Sequence, residues 1–177
     1  MAFYEQEVGV LISEDKLQAR VRELAAEITR DYAGKDLTLI CVLKGSAFFA
    51  IDLAKYIDLP VKLEFLGVSS YQGGTESTGE VRITTDVSKP MAGKHLLVIE
   101  DIIDTGLTMQ FLLENLRARH PASVKVCSLL EKPARARTKV DIDYKGFVID
   151  DLFVVGYGLD FGEVYRNIPF IGVMKNK

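Results

Sequence analysis

Three carboxylates lie close together after an apolar run in the middle of the chain. Residues 96–99 are all apolar, and Glu100, Asp101 and Asp104 follow them. A continuous apolar run of this kind is typical of a buried parallel strand. Adjacent acids directly after such a strand repel each other, whereas a bound cation or the hydroxyls of a sugar would relieve the repulsion. We favour this interpretation over a plain acidic cluster at a helix start.

A short loop with two hydroxyl side chains follows the acids. Its sequence is Thr105-Gly106-Leu107-Thr108, and an apolar pattern with helical spacing begins directly after it. Backbone N–H groups at a helix start lack partners within the helix, and the helix dipole favours an anion there. Gly106 permits a tight turn. The loop is therefore predicted to hold a phosphate.

The elements that would position these residues alternate along the chain. Residues 37–43, 61–68, 124–130 and 153–157 predict further strands, and helical patterns occupy residues 47–56 and the stretch after residue 13. In that first helix one apolar stripe recurs at helical spacing: Leu17, Val21, Leu24, Ala25, Ile28 and Tyr32. This alternation predicts an α/β fold with a doubly wound parallel sheet, in one domain over residues 1–177.

Unusual residues also follow other predicted strands. Lys44-Gly45, Lys132 and the stretch from Asp160 to Arg166 all come at strand ends, and sheets of this class bind ligands beyond the carboxyl ends of their strands. Each group alone is compatible with an exposed turn or a local ion pair. Their convergence at one edge of the sheet favours a binding site.

Composition excludes several classes of function. The net charge is −3 and there is no long basic run, which argues against a nucleic-acid partner. Cys41 and Cys127 lie in apolar runs, and His95 and His120 are the two histidines, so a zinc site or a histidine-based triad is not expected. No signal-like segment and no apolar run of about 20 residues occurs, and we expect a soluble, cytoplasmic protein without membrane contact.

Two common nucleotide-binding signatures do not match. The P-loop needs a lysine after its second glycine, but Gly79 is followed by Glu80. The closest dinucleotide pattern has Phe161 where its third glycine should stand. Residues 69–79 are instead rich in Gly, Ser and Thr, and they predict a hairpin with a long loop that acts as an active-site lid.

Residues 98–108 resemble the phosphoribosyl-diphosphate motif of the type I phosphoribosyltransferase family. Segments around Lys44-Gly45, Ser70-Tyr71, Lys132 and residues 153–166 resemble its hypoxanthine-guanine branch in the bacterial form. The similarity covers nearly the whole chain, in order and at compatible spacing. It implies the fold of that family: a doubly wound parallel sheet with a small hood and a flexible hairpin lid.

The resemblance implies transfer of the 5-phosphoribosyl group from phosphoribosyl diphosphate to N9 of hypoxanthine or guanine, giving IMP or GMP and pyrophosphate. Mg²⁺ is the implied cofactor. Asp104 is the implied general acid or base at purine N7. The implied phosphoribosyl and 5′-phosphate ligands are Glu100, Asp101, Asp104, Thr105, Gly106, Leu107 and Thr108, and the implied metal ligands are Glu100, Asp101 and Asp160.

The remaining implied contacts come from the other strand ends. Lys44, Gly45 and Arg166 would bind pyrophosphate, and family members often have a cis peptide before that lysine. The implied purine contacts are Lys132, Phe153, Val154 and Asp160, and the lid would carry Ser70 and Tyr71. The family also implies a homo-oligomer, either dimer or tetramer.

Two alternatives remain open from the sequence. One is a phosphoribosyltransferase that prefers xanthine or accepts all three bases. The other is a phosphoribosyltransferase-like regulator that binds RNA, for which Arg135, Arg137 and Lys139 would supply a small basic cluster. The acidic net charge disfavours the regulator.

Overall fold

A computed structural model describes residues 7–70 and 81–175. In chain order its elements are β1 (Val8–Ile12), α1 (Glu14–Asp31), β2 (Leu37–Leu43), α2 (Ala47–Tyr56), β3 (Lys62–Ser70), β4 (Val81–Thr85), β5 (His95–Ile103), α3 (Leu107–Arg117), β6 (Ser123–Glu131), a 3-10 turn (Pro133–Arg135), β7 (Tyr144–Val148), β8 (Val154–Val155) and β9 (Ile171–Met174).

The main sheet has the strand order β4-β3-β2-β5-β6-β7. All neighbours in it are parallel except β4, which runs antiparallel to β3. Helices α1 and α2 pack on one face of the sheet and α3 packs on the other. Burial on both faces explains the apolar runs of β2 and β5, and the predicted doubly wound α/β fold is confirmed.

The helices follow their sequence patterns. The predicted apolar stripe of α1 is buried at every position from Leu17 to Tyr32. Helix α3 begins after Gly106, whose φ of 82° lies in the left-handed region. A Cβ at this glycine would lie 2.8 Å from the carbonyl oxygen of Thr138. Both the turn and the close approach therefore require glycine here.

A smaller three-stranded sheet, in the order β1-β9-β8, forms the hood. Its strands are antiparallel, and Val8 pairs with Met174 while Val154 pairs with Val173. Strand β1 comes from the start of the described chain and β9 from its end. The loop between β8 and β9, which carries residues 156–170, is thereby held above the carboxyl edge of β2, where Gly158 contacts Gly45.

Two local expectations differ from the structure, and a third lies mostly outside the described residues. Strand β5 continues to Ile103, so Glu100 and Asp101 lie within it rather than after it. The strand predicted at residues 153–157 is reduced to β8, because the backbone turns at Gly156, where φ is 94°. The lid falls mostly outside the described residues, although its flanking strands β3 and β4 do pair as a hairpin.

Within the described ranges, no helix is long and apolar enough to cross a membrane.

Candidate active site

Three chain segments meet at the carboxyl edge of the central strands. A Cβ at Gly45, just after β2, would lie 1.6 Å from Oδ2 of Asp101 on β5. A Cβ at Gly158, in the hood, would lie 1.9 Å from the carbonyl oxygen of Gly45. Two glycines therefore allow the hood, the loop after β2 and the acid on β5 to contact one another. They do so at the sheet edge that the sequence predicts as the binding site.

Glu100 is buried in this edge, and the adjacent Asp101 is partly buried. Burial raises the pKa of Glu100 well above its ordinary value, and the neighbouring Asp101 charge raises it further. Burial also raises the pKa of Asp101, while its own hydrogen bonds oppose that shift. The backbone N–H of Ile102 donates to Asp101 Oδ1 over 2.8 Å. Two adjacent carboxylates, one buried and one partly buried, are costly without a cation, and their oxygens suit a hard divalent ion.

The described part of the chain contains no group of three or more His, Cys, Asp or Glu side chains suited to a metal. This does not conflict with Mg²⁺, because that ion usually takes one or two carboxylates together with substrate phosphates and water. Glu100 and Asp101 fit such a ligand set. Asp160 lies apart from them in the hood loop.

The predicted phosphate loop surrounds a small cavity of about 90 Å³ at the start of α3. Asp104, Thr105, Gly106 and Thr108 line it, together with the end of β5. The carbonyl of Thr105 accepts N–H donation from Arg137 and Thr138, over 2.9 and 3.2 Å. The loop is thereby fixed from outside, and within it the N–H of Leu107 donates to Thr105 Oγ1 over 3.5 Å.

Lys44 and Arg166, the predicted pyrophosphate ligands, converge on one carboxylate. Glu163 lies 2.7 Å from Lys44 Nζ and 3.4 Å from Arg166 Nη2. Arg166 also pairs with Asp160 over 2.8 Å and donates to the carbonyl of Gly158 over 2.7 Å. The peptide bond before Lys44 is cis, as expected for the family. Lys44 and Arg166 are therefore brought together beside one carboxylate.

Asp104 and Lys132 line one cavity of about 280 Å³ between the ends of β5 and β6. Lys132 is buried, and its backbone N–H donates to the carbonyl of Ile103 over 3.0 Å. Phe153 and Val154 are not among the residues that line this cavity. Phe153 is half-exposed, and its ring lies edge-on to the ring of Phe161, with 5.6 Å between the ring centroids.

A comparison with known proteins gives the family. Residues 13–162 match the family model described as "Phosphoribosyl transferase domain". The chain belongs to this family.

Two named relatives and one solved structure are similar to this phosphoribosyltransferase over nearly their whole length. It is 48% identical to the hypoxanthine-guanine-xanthine phosphoribosyltransferase of Tritrichomonas foetus, over 94% of this chain and 91% of that protein. It is 47% identical to the hypoxanthine-guanine phosphoribosyltransferase of Staphylococcus aureus (strain Mu50 / ATCC 700699), over 94% and 93%. A crystal structure of a hypoxanthine phosphoribosyltransferase from Staphylococcus aureus superposes with a TM-score of 0.94 at 44% identity, covering 98% of this chain and 95% of that one.

Other relatives are longer. The chain is 48% identical to the bifunctional protein TilS/HprT of Listeria monocytogenes serotype 4b (strain F2365), but it spans only 26% of that protein's length. The match covers 94% of the present chain. The phosphoribosyltransferase unit therefore also occurs as one part of a larger protein.

Sequence reasoning missed three charged residues of this phosphoribosyltransferase site. Arg135 Nε lies 3.3 Å from Asp104 Oδ1, and Arg135 Nη1 lies 3.7 Å from Asp151 Oδ1. Glu163 lies between the ammonium of Lys44 and the guanidinium of Arg166. The sequence does mark Arg135 as part of the basic cluster, but its charge does not indicate which acid it pairs with.

Of the predicted site residues, Tyr71 lies outside the described ranges, and Ser70 ends β3.

Proposed function

We propose that this phosphoribosyltransferase is a purine salvage enzyme. It transfers the 5-phosphoribosyl group from phosphoribosyl diphosphate to N9 of hypoxanthine or guanine, and it releases IMP or GMP and pyrophosphate. The observation that carries this proposal is that Asp104 and Lys132 line one cavity directly beside the phosphate loop. The relatives named for hypoxanthine and guanine support the choice of base.

The sugar side of the substrate belongs at β5 and the start of α3. Residues 104–108 bind the 5′-phosphate through N–H and hydroxyl donors at the helix start. Glu100 and Asp101 would hold the ribose hydroxyls and Mg²⁺, and the ion would supply positive charge that stabilises the leaving pyrophosphate. Asp160 would help to hold a second Mg²⁺.

The base belongs between the ends of β5, β6 and β8. Lys132 donates to O6, Phe153 stacks on the ring, and the Val154 backbone meets the ring edge, with Asp160 nearby. This arrangement is supported by Asp151, which lies two residues before Phe153 and has its Oδ1 3.9 Å from Lys132 Nζ. The hood segment and the β6 end therefore lie within reach of one purine.

The chemical step needs one bond made, one bond broken and one proton moved. The N9 lone pair forms the bond to C1′ as the C1′–oxygen bond to pyrophosphate breaks. The N7 proton of the base passes to the carboxylate of Asp104. Lys44, Gly45 and Arg166 bind the leaving pyrophosphate, and charge neutralisation there stabilises the transition state. Ser70 and Tyr71 act on a lid that excludes water.

The proposal further includes a homo-oligomer, either a dimer or a tetramer, and a cytoplasmic location for the protein. Neither nucleic acid nor membrane is a proposed partner. The paired state of the basic cluster supports this choice over an RNA-binding regulator, because Arg135 lies against Asp104 and Lys139 lies 3.4 Å from Asp141. Salt-dependent RNA binding without nucleotide synthesis would favour the regulator.

The test supplies phosphoribosyl diphosphate and Mg²⁺ with hypoxanthine, guanine or xanthine in separate reactions and identifies each nucleotide formed. IMP and GMP are the expected products. Xanthine is a second candidate base, which the Tritrichomonas relative's name supports. Absence of product from both hypoxanthine and guanine contradicts the proposed function, and product from xanthine alone would replace it with the xanthine-preferring enzyme.

A further inference from the structure

Arg135 stands between two acids at the edge of the proposed base site. It pairs with Asp104 Oδ1 over 3.3 Å and with Asp151 Oδ1 over 3.7 Å. Asp151 Oδ1 lies in turn 3.9 Å from Lys132 Nζ. The four side chains therefore form a row of alternating charge, with Asp104 at one end and Lys132 at the other.

The backbone holds this row in place. Arg135 ends the one-turn 3-10 helix that follows Lys132, and its N–H donates to the Lys132 carbonyl over 3.2 Å. Two residues later the N–H of Arg137 donates to the carbonyl of Thr105 in the phosphate loop over 2.9 Å. The segment from Lys132 to Arg137 is thus fixed at both of its ends, and it places the guanidinium of Arg135 beside Asp104.

The contact to Asp104 supplies charge without a complete hydrogen bond. Asp104 Oδ1 is buried and accepts no hydrogen bond from the described residues. The carboxylate therefore faces a cation at 3.3 Å whose N–H is not aligned with it. Such a contact restrains the carboxylate without forming a hydrogen bond to it.

We propose that Arg135 is a positioning residue that orients Asp104 toward N7 of the purine, and that Asp151 links this orientation to Lys132. The inference rests on the proposed function. N7 and O6 lie on the same edge of a 6-oxopurine, so the groups that contact them must keep a fixed separation. The Asp104–Arg135–Asp151–Lys132 row joins these two groups outside the cavity.

Kinetics of the Arg135→Met variant test this role. We expect kcat/KM for hypoxanthine to fall about 10- to 100-fold, because small misplacement of a reacting group has effects of that size. KM for phosphoribosyl diphosphate should stay within about 2-fold, since Arg135 is assigned no contact with it. Arg135→Lys should recover part of the loss. Arg119→Met removes a comparable surface pair, with Asp86 at 2.9 Å, and serves as the matched control.

Two further readouts separate positioning from a merely structural role. IMP should bind Arg135→Met about 10-fold more weakly, whereas its 7-deaza analogue, in which a C–H replaces N7, should lose less than about 2-fold. In the Asp104→Asn background, Arg135→Met should cost less than about 2-fold, because the group that it positions is already disabled.

Equal losses for IMP and 7-deaza-IMP would overturn the inference, and so would full additivity with Asp104→Asn or an unchanged kcat/KM. A selective rise in KM for phosphoribosyl diphosphate would overturn it as well and would assign Arg135 to that substrate. Unmodified protein is assayed alongside. Failure of the proposed function appears as absence of IMP from the unmodified protein, and failure of the present inference appears only in the variants.

Discussion

Lys132→Met separates the binding role of this lysine from any part it has in stability. Lys132 is buried, and its ammonium makes no hydrogen bond with residues 7–70 or 81–175. Its ion pair with the half-exposed Asp151 is long, at 3.9 Å. A buried ammonium with one distant partner contributes little to stability and costs desolvation. We expect the free energy of unfolding of Lys132→Met to stay within about 1 kcal/mol of the unmodified value, or to rise.

Binding of the base, in contrast to stability, should be clearly weakened by Lys132→Met. The proposed hydrogen bond from the ammonium to purine O6 is charge-assisted, and such bonds contribute about 1.5–3 kcal/mol. Its loss corresponds to a fall of about 10- to 150-fold in kcat/KM for hypoxanthine. Methionine fills a similar volume, so the cavity keeps its shape.

The assay is the initial rate of IMP formation at saturating phosphoribosyl diphosphate and varied hypoxanthine, together with urea unfolding. Lys62→Met is the control, because Lys62 makes an exposed ion pair with Asp36 at the far end of β3. A loss of more than about 3 kcal/mol in unfolding free energy would show that Lys132 is a structural residue. An unchanged kcat/KM would remove it from the base site.

Three other variants test the remaining assignments. Asp104→Asn should fold and still bind IMP but lose about 10²- to 10⁴-fold in kcat; unchanged turnover removes the proton-transfer role. Gly45→Ala would place a methyl carbon 1.6 Å from Asp101 Oδ2, so we expect KM for phosphoribosyl diphosphate to rise about 10-fold, as overpacking of 1–3 kcal/mol predicts. Gly9→Ala, whose nearest neighbour is 3.8 Å away, should have no effect. Glu163→Gln should tighten pyrophosphate inhibition about 2- to 5-fold, the range expected for an exposed pair, and weaker inhibition would contradict an anion-binding role for its two cationic neighbours.

The sheet and helices were predictable because their signals are local. The buried stripe of α1 and the range of α2 agree with their sequence patterns. The extent of β5 was not predictable in this way. Glu100 and Asp101 look like residues after a strand, but they lie within β5, and Glu100 pairs with Ser128 of β6. Strand pairing overrode the polar character of these two positions.

The charged partners of the site were harder to predict because they depend on tertiary structure. Arg135 meets Asp104 only because the segment after β6 folds back onto the phosphate loop. Glu163 meets Lys44 from the other end of the chain, in a left-handed conformation with φ of 69°. Neither residue carries a spacing pattern that would mark it in the sequence.

The hood has a folding requirement that the sugar-phosphate half of the site does not share. Residues 95–138 supply the acids, the phosphate loop and Lys132 in one continuous stretch. Phe153, Asp160 and Arg166 are held instead by a sheet in which β1 pairs with β9 across nearly the whole described chain. Long-range pairing of this kind is entropically costly to close and slow to form. The hood residues proposed to contact the purine and the pyrophosphate, Phe153, Asp160 and Arg166, therefore depend on contacts that join the two ends of the described chain. The residues proposed to hold the ribose and its 5′-phosphate lie within a single local segment.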